Sequence, residues 1–308
     1  MPESLGQIPE CLQVTIAGIR FDLSWEGAPL VEDEDRLKFY QGFLSNGDQR
    51  SQATQINVRL RVHCGELPEV KPDALIFDAF TNRWRAFLLN GQYVFEFFDT
   101  TPPHPRVQLA LMAPDLRFGN VYLRATETTR GPSWSLIQLM RPFGELLVVN
   151  LLSQGRGVLL HGLGVNDRGE GLLFVGASGA GKTTLANLYK SYRDVTILGD
   201  ERIIVTKQDG RFWLSGTPWP GGGFTVSAQT VPLREIFFLE HGPHNVLIPD
   251  RLAILHRLFF QQLFLPFWNG EALAFAMQFG EEVLNAVPAS RLAFVDDARV
   301  IEFLRNRT

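Results

Sequence analysis

The chain has little with which to cross-link itself, enter a membrane or coat a nucleic acid. Its 308 residues include only two cysteines, Cys11 and Cys64. That is too few for a disulfide framework or a cysteine metal site, and it suits a reducing compartment. The first ten residues, MPESLGQIPE, have no basic head followed by an apolar stretch and do not read as a secretory leader. No apolar run reaches the ~18 residues of a membrane span. RLAILHRLFFQQLFLPFW comes nearest and is broken by His256, Arg257, Gln261 and Gln262. A surplus of one charge is missing too. Twenty-nine Lys and Arg against 33 Asp and Glu leave a formal net charge of −4, which is no nucleic-acid footprint. There is no internal repeat and no low-complexity tract. These absences lead us to expect a cytoplasmic protein that works away from membranes and nucleic acid.

What remains is ample for a core. Apolar residues make up 45% of the chain and charged residues 20%, a globular composition whose length suits one large domain or two ordinary ones. The first part reads as strands. In QINVRLRV, Ile56, Val58, Leu60 and Val62 alternate with Asn57, Arg59 and Arg61, the period of a half-buried strand. RWRAFLLNGQYVFEFF is two apolar runs joined at Asn90-Gly91, a hairpin signal because both residues tolerate positive φ. VQLALMA and NVYLRA add strands, and the region predicts an antiparallel sheet of six to eight. The acidic run VEDEDR reads as a solvated loop. Near residue 130 the pattern changes. LIQLMRPFGELLVVNLLSQ looks helical, with Pro142 starting or kinking a segment. The expected organisation is therefore a β-rich unit over 1–130 and an α/β unit over 131–308.

The densest chemistry lies in LLFVGASGAGKTTLANLYK, residues 172–190. Gly176, Ala177, Ser178, Gly179, Ala180 and Gly181 form a bend between a buried strand and a helix opening on Lys182, Thr183 and Thr184. The pattern is G-x-x-x-x-G-K-[ST] at every fixed position, and its flanks are right. Glycines let backbone amides turn inward against an anion, and the helix start aims its unpaired N–H groups at the same place. Lys182 would reach the β- and γ-phosphates and the Thr183 hydroxyl would bind Mg²⁺, so the bend is expected to hold ATP.

Asp200 follows Lys182 by 18 positions, in VTILGDERIIV. An apolar strand ends on Asp200 and Glu201, and only one helix separates it from the strand before the bend, so the two strands are candidates to be neighbours. Asp200 would then bind Mg²⁺ through water or accept a proton from an attacking hydroxyl. Upstream, GVLLHGLGVNDRGEGLLFVG reads as strand, turn at Asp167–Gly169, strand, with His161 in the first strand. His161 is either a core histidine or carried to the bend by the hairpin.

These residues resemble one known family. HG, then GEGLLFVGASGAGKTTL, then ILGDE is similar to the HPr kinase/phosphorylase and phosphoenolpyruvate carboxykinase group, over residues 156 to about 240. The resemblance implies a P-loop fold with a mixed central sheet, ATP and Mg²⁺ as cofactors, and transfer of phosphate to a serine hydroxyl. It implies Asp200 as the base, Glu201 with Thr183 and Asp200 at the metal, His161 near the transferred phosphate, and Lys182 on the phosphates. The chain departs from the family's pattern in four ways. The acidic pair is Asp-Glu rather than Asp-Asp, Thr183-Thr184 stands where HPr kinases have Ser-Glu, and the N-terminal half and the C-terminal arginine-glycine signature do not match. The kinase chemistry carries over better than HPr as substrate or the reverse reaction.

Other stretches leave alternatives open. In LSGTPWPGGGF, Trp219 and Gly221–Gly223 form either a lid over substrate or a structural turn. His241 and His244 share a turn with no carboxylate at matching spacing, so no zinc site is expected. The phenylalanines of LHRLFFQQLFLPF are core or an oligomer contact. ASRLAFVDDARVIEFLR reads as a last strand, an acidic turn and a closing helix. The leading function is a serine kinase acting on a protein or peptide. A non-catalytic ATP-binding sensor or assembly module and a small-molecule kinase are the alternatives.

Overall fold

The structure is a computed structural model that describes residues 11–31, 37–44, 56–79, 84–128 and 131–307. The N-terminal stretch and residues 32–36 of the acidic run lie outside the described residues. The protein is mixed α/β and rich in strand, and it divides into two compact units, Met1–Leu147 and Val148–Thr308.

In the first unit, β1 (Cys11–Ile16), β2 (Ile19–Gly27), β3 (Ile56–Gly65), β4 (Ala74–Ala79), β5 (Trp84–Leu89), β6 (Gln92–Phe98), β7 (Arg106–Met112) and β8 (Phe118–Arg124) form one sheet in the order β1-β2-β3-β8-β7-β6-β5-β4. The alternation in β3 does what its period demands: Ile56, Val58, Leu60 and Val62 are buried and Asn57, Arg59 and Arg61 exposed. Asn90 and Gly91, at φ 51° and 77°, close the β5–β6 hairpin.

The sheet is mixed rather than antiparallel as expected, because β3 runs parallel to both β2 and β8. The reason is connection length. The link from Gly27 to Ile56 is long enough to carry the chain back to the start of a parallel strand, and the β4–β7 meander intervenes before β8 returns beside β3.

A short ribbon of β9 (Thr126–Thr128) and β10 (Gly131–Ser133) leads to α1 (Leu136–Leu139), capped by the Ser135 hydroxyl accepting from the Gln138 amide. Arg141 leaves the helical region just before Pro142, and α2 (Glu145–Leu152) resumes after it, so the proline interrupts the helix. Phe143 is fully buried against Phe95 and Phe97, with centroids 6.3 and 6.0 Å away. That packing keeps residues past 130 with the first sheet. The division between units therefore falls later than the change in composition.

The second unit is built on a sheet of β11 (Gly157–His161), β12 (Leu163–Asp167), β13 (Glu170–Val175), β14 (Val195–Gly199), β15 (Arg202–Gln208), β16 (Arg211–Ser215), β17 (Thr230–His241), β18 (Val246–Ile248) and β19 (Ala289–Phe294). The main path is β11-β15-β16-β17-β13-β12-β14, and β19 pairs with both β17 and β18. The sheet is mixed: β17 runs parallel to β13 and to β19, and the remaining pairings are antiparallel.

Both faces are buried, which is why LLFV reads as a continuous apolar run rather than an alternation. Leu173, Val175, Ile236 and Phe238 face one core with α4 (Leu252–Phe260) and α5 (Gly270–Ala286). Leu172, Phe174, Phe237 and Leu239 face the other, with α3 (Lys182–Tyr189) and α6 (Arg299–Arg305). Two phenylalanines of the LHRLFFQQLFLPF stripe part company: Phe259 is core and Phe267 is 64% exposed. No helix among the described residues is long and apolar enough to cross a membrane.

Candidate functional site

The strand order places the chemistry on one edge of the second sheet. Sequence reasoning made β13 and β14 candidate neighbours; β12 lies between them instead. The tight β12–β13 hairpin, turned at Arg168 and Gly169 with both at positive φ, occupies the edge of β13 that β14 would need. Because β12 is antiparallel to both, β13 and β14 still point the same way. Leu163 of β12 pairs with Phe174 of β13, and Gly164 pairs with Gly199 of β14, so the two strand ends are level. Two inter-strand steps put those ends about 10 Å apart. Carboxyl ends of parallel strands are where open α/β sheets bind ligands.

The glycine-rich bend leaves the end of β13. Gly179 and Gly181 sit at φ 83° and 97°, in the left-handed region that excludes most side chains. A Cβ on Gly181 would also come within 2.5 Å of the Phe294 ring. Ala177, Ser178 and Gly179 are exposed, as is Thr183, while Thr184 is half-buried. Helix α3 starts at Lys182 because Leu185, Ala186 and Tyr189 bury one face against the sheet. Its cap residue, Gly181, offers no side-chain oxygen. The amides of Lys182, Thr183 and Thr184 therefore have neither an intrahelical acceptor nor a cap, which is the electrostatic condition for holding an anion.

Lys182 is buried, and its ammonium donates to the carbonyls of Gly176 (2.6 Å) and Ala177 (3.1 Å). Burial lowers its pKa, and the nearby Glu201 carboxylate works against that. His161 ends β11 and is not on the hairpin that feeds the bend, as sequence reasoning had allowed. Its strand pairs with β15, where it faces Arg202. Its backbone is fixed from the other side by residues after α4: His161 N–H donates to Gln262 and Phe264 N–H to Leu159. The His161 Nε2 lies 3.7 Å from Glu201 Oε2. Burial lowers the imidazole pKa, Lys182 and Arg202 lower it further, and Glu201 opposes them. Lys182, Glu201 and His161 thus form one electrostatic group, with Arg202 bonded to Glu201 Oε1 at 2.9 Å.

Asp200 is held separately. It is buried, and its two oxygens accept from the backbone amides of Gly221 (2.9 Å) and Gly223 (2.6 Å). The glycine triplet is therefore a clamp on the carboxylate, more than either the lid or the plain turn read from sequence. Trp219 is buried, the Thr217 hydroxyl donates to the Arg202 carbonyl, and Ser227 N–H donates to Leu198, so the segment is fastened along its length. Glycine is needed at two of the three positions. A Cβ on Gly221 would press on Glu201 at 2.9 Å, and one on Gly223 would run into Oδ2 of Asp200. At Gly222 it would meet nothing within 4 Å. Gly223→Ala is expected to cost about 1–3 kcal/mol by displacing a charged, buried hydrogen bond. Gly222→Ala should stay within about 0.5 kcal/mol. Urea unfolding of the two variants compares them, and equal stability would remove the clamp.

The sequence alone reveals neither these amides nor the contact that His241 makes. The signal for the first was the glycine triplet itself. For His241 the only signal was its position at the end of a strand parallel to β13, which pairing alone reveals. Its Nε2–H donates to the Gly179 carbonyl at 2.8 Å.

The donor set fits magnesium. The Thr183 hydroxyl and the Asp200 and Glu201 carboxylates are hard oxygen donors, and Mg²⁺ ordinarily takes one or two carboxylates and fills the rest with water and phosphate oxygens. Among the described residues no group of three or more His, Cys, Asp or Glu side chains is gathered to hold a metal alone. Compared with known proteins, the chain matches no family model, and no curated protein matches it.

Proposed function

We propose that the second unit is an ATP- and Mg²⁺-dependent kinase of the HPr kinase type that phosphorylates a serine hydroxyl in a protein or peptide. The observation that carries this reading is the common edge: an uncapped helix start behind a glycine-rich bend, and a pair of acidic side chains one strand away and level with it. Gly179, Gly181 and the first amides of α3 cradle the phosphates. Lys182 turns from the loop carbonyls to the β- and γ-phosphate oxygens, and Glu201 keeps its ammonium charged. Thr183, Asp200 and Glu201 would hold Mg²⁺, which when bound would neutralise charge on the phosphate oxygens.

Asp200 accepts the proton of the attacking serine. The two glycine amides fix the plane of its carboxylate, and each oxygen keeps a lone pair beyond the one they use. His161, set against Glu201, stands by the transferred phosphoryl group. Incubation with γ-labelled ATP, a serine-bearing peptide library and a cell lysate tests the reading. Label on a serine of an acceptor is expected. Bound ATP without turnover would make the unit a sensor, and label on a free metabolite would make it a small-molecule kinase.

A further inference from the structure

We infer that His241, braced by Phe294, is a positioning residue that sets the shape of the triphosphate cradle from outside it. The inference rests on the nucleotide-binding reading above and concerns a residue which that reading does not use.

Two contacts carry it. First, His241 Nε2 donates to the Gly179 carbonyl at 2.8 Å, and a carbonyl only accepts, so the proton sits on Nε2. Second, His241 and Phe294 are partners in the parallel β17–β19 register, and their rings stack with centroids 6.1 Å apart and planes within 25°. The same Phe294 ring fills the space against Gly181. One cross-strand pair therefore touches both glycines that hold the bend in the left-handed region.

The bend is thus tied at two points. Lys182 holds Gly176 and Ala177 from the helix side, and His241 holds Gly179 from the strand side. Within the bend, Ala180 N–H is already committed to the Ala177 carbonyl. The amides of Gly179 and Gly181 are among those left to face an anion, and the peptide that follows Gly179 is held at its carbonyl by His241 and at its N–H by Ala177. Without the Nε2–H donor that peptide keeps only the Ala180 N–H bond to Ala177, one tie in place of two. Lys182 would keep its place while the amide array loses its aim. His241 does not contact the reacting atoms; it acts through the loop.

The test compares His241→Leu, which removes the donor, with His241→Gln, whose side-chain amide can restore it. Binding of ATP with Mg²⁺ is measured by calorimetry, together with thermal stability. The leucine variant should bind ATP about 5- to 20-fold more weakly, the range of one hydrogen bond to a neutral acceptor plus a loosened loop. The glutamine variant should recover to within about 2-fold of the parent, and neither should move the unfolding temperature by more than about 2 °C. Equal ATP affinity in the parent and the leucine variant overturns the inference while leaving the kinase reading intact. Weak binding in both variants alike overturns it too, since the donor is then not what matters. A parent chain that does not bind ATP at all overturns the underlying reading instead.

Discussion

Asp200→Asn should leave ATP bound and cut transfer to the acceptor by about 10²–10⁴-fold, the usual contribution of a positioned general base. The change is nearly isosteric, so the fold around the clamp persists. Two things are lost. The amide has no site for the serine proton, and its NH₂ must face one of the two glycine N–H donors, donor against donor, where a carboxylate oxygen now accepts. The measurement is single-turnover labelling of the acceptor beside calorimetric ATP binding. A variant that keeps full activity would remove Asp200 from the base position. Loss of ATP binding equal to the loss of rate would make it a metal ligand alone.

Lys182→Ala is the second large effect. The ammonium is buried, its charged form already disfavoured by desolvation and supported by Glu201. Removing it takes a donor from the Gly176 and Ala177 carbonyls and loosens the bend, and the larger deficit should appear when the triphosphate binds. Loss of one such preorganised cation is worth at least about 10²–10³-fold in rate. With the binding deficit added, labelling should fall to background. Lys182→Met, which keeps the aliphatic stem, separates packing from charge: it should fail like alanine. Unaltered circular dichroism with lost ATP binding is the expected pair of results. Unaltered ATP affinity in either variant would mean that the bend holds no triphosphate.

The strands and the bend were legible because their signals are local. Period-two alternation marked β3, Asn90-Gly91 marked a hairpin, and the G-x-x-x-x-G-K-T run with its buried strand and amphipathic helix marked the loop. What could not be read depended on contacts distant in sequence. Whether β14 lies beside β13 or one strand away is decided by the β12–β13 hairpin taking that edge first. The parallel placement of β3 depends on the long link before it. The glycine clamp shows the same limit at atomic scale: GGG announces freedom of backbone, but only the fold reveals that Gly221 and Gly223 spend that freedom on approaching two carboxylates. The spacing of His241 to His244 says nothing of its partner, a carbonyl 62 residues earlier in the chain.

The fastening of residues 216–227 bears on how a serine could reach its target. A door hinged there could not swing wide without stripping both peptide hydrogens from Asp200 and leaving a buried carboxylate short of partners, a costly state. The triplet is thus ill-suited to move aside, and anything that meets Asp200 would have to arrive from another direction.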